Sequence, residues 1–96
     1  MKYIISYDIS NSQLRKELSD FLISNNFIRI QKSVFLGNIE SDLLSKKTLI
    51  LNSFLSDKTD SLLVCPLCSD DFMKSYFLGQ TFDLGNFDRF KDFILF

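Results

Sequence analysis

The chain contains no histidine. Acid–base or metal chemistry must then fall to carboxylates, hydroxyls, thiols or amines, and Ser–His and Cys–His nucleophile pairs are excluded. Glycine occurs three times, each time isolated, so there is no glycine-rich phosphate loop. Two cysteines fall short of the about four ligands of a structural zinc site, which only pairing between subunits could complete. No apolar run approaches the ~20 residues of a membrane span. The short apolar stretch after Met1-Lys2 breaks at Asp8, which is not the form of a signal peptide. The expectation is a cytoplasmic protein in a reducing compartment, with no membrane association. An excess of positive charge is also missing: 11 Lys and Arg stand against 12 Asp and Glu, and a net charge of −1 argues against bulk electrostatic capture of nucleic acid.

What the chain does have is apolar surface. Hydrophobic residues make up 46% of 96 residues, and 11 are Phe. A single domain of this size buries roughly 60–65% of its unfolded surface. Part of this apolar content is therefore expected in an oligomer interface. The charge is uneven: residues 1–48 carry seven Lys/Arg against five Asp/Glu, and residues 49–96 four against seven. An anion-binding face should come mainly from the first half.

Residues 3–7 read as a short buried strand rich in Ile and Tyr, ending at Asp8. Ser10-Asn11-Ser12-Gln13 has the Ser-x-x-Gln form of a capping box. Leu14, Leu18, Phe21 and Leu22 then mark one face of a helix over residues 11–24, closed by Asn25-Asn26. Residues 27–31 and 33–36 read as two strands close enough to pair, the second ended by Gly37-Asn38. Residues 41–55 read as one helix with Leu43, Ile50, Leu51 and Phe54 on a common face, its acidic start (Glu40, Asp42) suited to the helix dipole. Residues 57–60 form a polar connector, and residues 61–65 a fourth strand that Pro66 confines to an edge or an end. The order βαββαβ predicts an α+β, ferredoxin-like sandwich over residues 1–78. Residues 69–96 hold seven of the 11 Phe. The tail from 79 to 96 needs a surface to cover.

Asp8 is the first candidate for chemistry. A carboxylate where a strand meets a helix is held by rigid structure yet open to solvent, as a Mg²⁺ or Mn²⁺ ligand must be. The competing reading is an acidic residue that simply favours the helix start. Arg15, Lys16, Arg29 and Lys32 could hold a phosphate backbone, or could be ordinary solvated charge. Arg29 and Gln31 are expected on one strand face, opposite Ile28 and Ile30. Ser33 could contact phosphate or satisfy a hairpin turn. Cys65-Pro66-Leu67-Cys68 follows a strand rather than opening a helix, so a structural role outweighs redox chemistry. Asp70-Asp71 reads as solvated loop.

Three segments together carry a resemblance. They are Tyr7-Asp8-Ile9-Ser10 after an Ile-rich strand, the run from Arg29-Ile30-Gln31-Lys32-Ser33 through Val34-Phe35-Leu36-Gly37, and Val64-Cys65-Pro66-Leu67-Cys68. In order and spacing they resemble the small CRISPR-associated adaptation protein, the Cas-two family, over residues 1–78. The resemblance implies a symmetric homodimer with a divalent-metal site at its axis, made from the aspartate ending the first strand of each chain. That position here is Asp8. It further implies a metal-dependent endonuclease acting on RNA or DNA, and partnership with the Cas-one integrase in spacer capture. By the same resemblance Ser33 and Phe35 lie near the dimer cleft, although core packing is the weightier reading of Phe35. Three functions follow as expectations: a metal-dependent nuclease using Asp8 of both subunits, a non-catalytic scaffold that braces duplex DNA and bridges integrase dimers, and a toxin-type ribonuclease on the same fold. The acidic balance favours a partner that shares nucleic-acid binding. The Phe-rich tail is expected to cross to the partner chain and add a strand to its sheet.

Overall fold

The computed structural model describes residues 1–76 together with 78 and 79, so the tail's expected crossing falls outside the described residues. The elements are β1 (Lys2–Asp8), α1 (Ser12–Ser24), β2 (Phe27–Gln31), β3 (Val34–Asn38), α2 (Ser41–Lys46), α3 (Thr48–Ser53), β4 (Ser61–Leu67) and α4 (Ser69–Lys74). The strands form one sheet in the order β2-β3-β1-β4, with every neighbouring pair antiparallel. This is the expected ferredoxin-like sheet. It makes β4 an edge strand, and an edge tolerates Pro66 within it.

Alternation along β1 sorts the sheet's two faces. Tyr3, Ile5 and Tyr7 point toward the helices and pack with Leu18 and Leu22 of α1, Phe27, Phe35, Leu44 and Leu51. Phe35 is fully buried and stacks on Tyr7 with ring centroids 6.1 Å apart, so its core reading holds. Phe27 sits opposite Gly37, and a Cβ at Gly37 would overlap the Phe27 ring. The small residue is therefore required by its cross-strand neighbour. On the other face, Ile4, Ile28, Ile30, Val34, Leu36 and Leu67 gather around Phe72 of α4. The Lys2 ammonium lies 5.1 Å from the Phe72 ring centroid, an arrangement that lets a long cationic side chain cover apolar surface.

Several local expectations are corrected. Asn11 caps α1, its side chain accepting the Leu14 N–H at 3.0 Å, and Ser10 serves a distant loop instead. Gln13 reaches forward to Glu17 rather than back to a cap. The expected single helix over residues 41–55 is two helices meeting at Lys47, whose backbone (φ −91°, ψ 1°) leaves the helical region. The buried residues are Leu44 and Leu51, while Leu43 and Ile50 are exposed. Adjacent apolar pairs offer two stripes one residue apart, and the fold buries the second. Asp70 and Asp71 are not loop: they occupy the first turn of α4, where the helix dipole favours acids. Cys68 is the cap of that helix, its Sγ accepting the Asp71 N–H at 3.4 Å. Both cysteines are free and exposed. Arg29 and Gln31 are separated by an irregularity in the β2–β3 register, so simple alternation does not run through them.

Candidate functional site

Asp8 is the last residue of β1 and is exposed. It lies on the sheet face opposite the α1–α3 layer, because it continues the Lys2, Ile4, Ser6 alternation. Cross-strand pairing puts β4 residues on that same face: Ser61 opposite Asp8, Leu63 opposite Ser6 and Cys65 opposite Ile4. Helix α4 covers the Lys2 end of the face through Phe72. The Asp8 end is open: Ser6 is half-buried, Cys65 exposed, and Leu63 retains 62% of its surface. The result is a strip that no described element covers, in which Leu63 and Cys65 lie among Ser6 and Ser61 and which ends in a carboxylate.

The turn between β2 and β3 reaches this end. Tyr7 N–H donates to the Ser33 carbonyl at 3.1 Å, which carries the Ser6–Val34 register one residue further. Lys32, exposed, and Ser33, half-buried, therefore stand beside the Asp8 terminus. Arg15 is there too, but its Nη1 donates to the carbonyls of Ile9 at 2.8 Å and Ser10 at 3.0 Å. Lys16 and Arg29 are elsewhere. Lys16 forms an exposed ion pair with Asp20 one helical turn on, at 3.1 Å. Arg29 is half-buried on the helix side, its Nη2 donating to Ser19 Oγ at 2.7 Å and its guanidinium 5.2 Å from the Phe35 ring centroid. Of the five residues expected to touch nucleic acid, the fold thus brings Lys32, Ser33 and Arg15 to Asp8 and sets Lys16 and Arg29 apart.

One participant escaped the sequence reading. The connector between α3 and β4 carries Asp60, whose Oδ1 accepts both the Ser10 N–H at 3.1 Å and the Ser10 hydroxyl at 3.2 Å. Its carboxyl is held below the ordinary value of 3.8, first by the Ser10 N–H; desolvation, the next largest influence, opposes this, and the backbone N–H groups of Asp57 and Ser56 and the Ser10 hydroxyl add to the lowering. No local pattern reveals a bond across 50 positions. Among the described residues no three acidic or cysteine side chains cluster as a metal cage. Within one chain Asp8 is a single carboxylate.

The model for CRISPR-associated protein Cas2 matches residues 1–75. The chain belongs to the Cas2 family. Relatives similar over nearly their whole length include the CRISPR-associated endoribonuclease Cas2 of Korarchaeum cryptofilum, 29% identical over 89 residues (93% of this chain, 91% of that one). That of Aeropyrum pernix is 28% identical over 82 residues (85% and 89%). Among solved structures, a hypothetical protein of Thermus thermophilus superposes with a TM-score of 0.69 at 26% identity, covering 83% of this chain and 92% of that one. Streptococcus pyogenes Cas2 superposes at 0.72, with 82% of this chain and all of that one covered. At 19% identity the latter speaks for the fold alone. Among the described residues no helix is long and apolar enough to cross a membrane.

Proposed function

We propose that this Cas2 chain works in CRISPR adaptation as a homodimer that binds nucleic acid and cuts phosphodiester bonds of RNA or DNA with a divalent cation, Mg²⁺ or Mn²⁺, held between the Asp8 carboxylates of two subunits. One observation carries the reading. Asp8 terminates a strip, with exposed Leu63 at its centre, that no described element covers, and a second copy seated on Leu63, Cys65 and Ser6 about a two-fold axis would bury that strip and bring its own Asp8 to the first. The donor set fits a hard cation: exposed carboxylate oxygens, with water for the remaining positions. A bound cation would polarise a phosphodiester and activate water. The chain's own part is to fix the two carboxylates and to hold the backbone phosphate with Lys32 and Ser33 at the adjoining turn. The relatives' name, endoribonuclease, supports cleavage of RNA.

The internal engagement of Arg15, Lys16 and Arg29 favours a second reading, in which the dimer braces duplex DNA and the Cas-one integrase supplies most of the cationic contact. For the tail over residues 79–96, the edge of β4 that no described strand pairs is the docking place we propose on a partner subunit. A cleft of about 450 Å³ beside that edge, floored by Leu44, Leu51, Leu55, Leu62 and Val64, suits phenylalanine side chains.

The test is cleavage of RNA and of duplex DNA by the full chain, with and without Mg²⁺. Asp8→Asn should abolish the metal-dependent component while leaving the dimer intact. An Asp8→Asn protein that cuts at the wild-type rate removes Asp8 from the chemistry. A wild type that binds duplex DNA but cuts neither substrate leaves the scaffold reading.

A further inference from the structure

The peptide that follows Asp8 is gripped from two sides. On one side Arg15 Nη1 donates to both the Ile9 and Ser10 carbonyls, at 2.8 and 3.0 Å. On the other, Asp60 Oδ1 accepts the Ser10 N–H and hydroxyl, at 3.1 and 3.2 Å. The second oxygen of Asp60, Oδ2, accepts the Ser56 and Asp57 N–H groups at 3.0 and 3.1 Å. Asp57 Oδ2 stands 3.5 Å from Ser10 Oγ. One carboxylate thus closes the loop before β4 and ties it to the turn after β1. The next residue, Ser61, is the cross-strand partner of Asp8.

We infer that Asp60 is a positioning residue for Asp8: its carboxylate, opposed by the Arg15 guanidinium, clamps the Ile9–Ser10 segment and so fixes the direction in which Asp8 presents its own carboxylate. Donors meet the anion and carbonyls meet the cation, so both ends of the clamp polarise the segment in the same sense, and charge-assisted bonds are the stronger kind. A metal ligand at a strand terminus needs this support, because it must be held within about 0.5 Å of its working position. The inference rests on the reading that Asp8 holds a cation.

The test uses the full chain with Mg²⁺ alone as the probe, followed by NMR of the Asp8 carboxylate carbon, and compares wild type with Asp60→Asn. Asparagine keeps one acceptor oxygen and turns an amino group toward N–H donors. Amide exchange at Ser10 is read in the same samples. The folded variant should need about tenfold more Mg²⁺ for half-saturation of Asp8, with Ser10 exchange accelerated by about as much. A loop that served stability alone would leave the Mg²⁺ midpoint of the folded protein unmoved, and that result overturns the inference. If the wild-type Asp8 signal ignores Mg²⁺, the cation reading of Asp8 fails and the clamp is judged on exchange: acceleration confined to residues 8–11 upholds it, and none overturns it. If Asp60→Asn does not fold, Ser10→Ala, which deletes only the hydroxyl, should shift the same readouts by about threefold, and no shift overturns the clamp.

Discussion

Leu63 lies on β4 beside the proposed two-fold axis and keeps 62% of its surface exposed in the single chain. Full burial of a leucine side chain contributes about 1.5–3 kcal/mol, so covering the exposed part contributes about 1–2 kcal/mol. A two-fold axis repeats every contact, giving about 2–4 kcal/mol per dimer. At 1.4 kcal/mol per tenfold, Leu63→Ala should weaken the dimer by roughly 30- to 700-fold, with the upper end reduced because alanine keeps its Cβ. The fold itself should be nearly indifferent, within about 0.5 kcal/mol, since Leu63 belongs to neither buried cluster. Sedimentation velocity over a concentration series measures the first effect, and chemical denaturation under monomeric conditions the second. A functional signature accompanies them: Mg²⁺-dependent cleavage should be lost at low protein concentration and regained at high concentration, because mass action restores the paired Asp8. A dimer constant within threefold of wild type, with concentration-independent cleavage, would refute the placement of the interface on this face.

Two further outcomes follow. Removing residues 79–96 should weaken the dimer while the remaining chain stays folded; a truncated protein that is fully dimeric in sedimentation rules out the tail's docking on β4. Asp60's carboxyl is depressed in the folded protein by the Ser10, Asp57 and Ser56 N–H groups, so its clamp is fully present above the ordinary 3.8 and is lost as pH falls through the lower folded value. The Ser10 amide, which donates to Asp60 Oδ1, should therefore hold its chemical shift from neutral pH and move with a midpoint below the ordinary 3.8. A midpoint above the ordinary carboxylate range contradicts the clamp.

How much of this was legible in the chain depends on the range of the interaction. The end of β1 at Asp8, the face formed by Leu18 and Leu22, and Asn25-Asn26 as a helix stop are local patterns, and the fold follows them; Asn26 takes the left-handed conformation (φ 68°) that ends a helix. Competition between neighbours was harder to read. Ser10 and Asn11 are both good caps, and Ser10 yields because Asp60 claims its side chain from across the molecule. Leu43 and Leu44 are equally apolar, and only packing against the sheet decides which is buried: Leu44 joins the core cluster with Tyr3 and Ile5. Arg15 and Arg29 show the same limit at the candidate site. Charge marks them as phosphate ligands, but two backbone carbonyls hold the first, and Ser19 and the Phe35 ring hold the second. At Cys68 the strand before it is the visible local pattern, whereas the helix after it sets its environment.

The most direct test of a site shared between subunits is a mixing experiment. Wild type and Asp8→Asn are combined in varying ratio, allowed to exchange subunits, and assayed for Mg²⁺-dependent RNA cleavage at constant total protein. If both carboxylates are needed, only dimers with two wild-type chains cut, and an equal mixture should retain about one quarter of the wild-type rate. Retention of about one half would mean that each Asp8 acts within its own chain, and the paired site would be wrong.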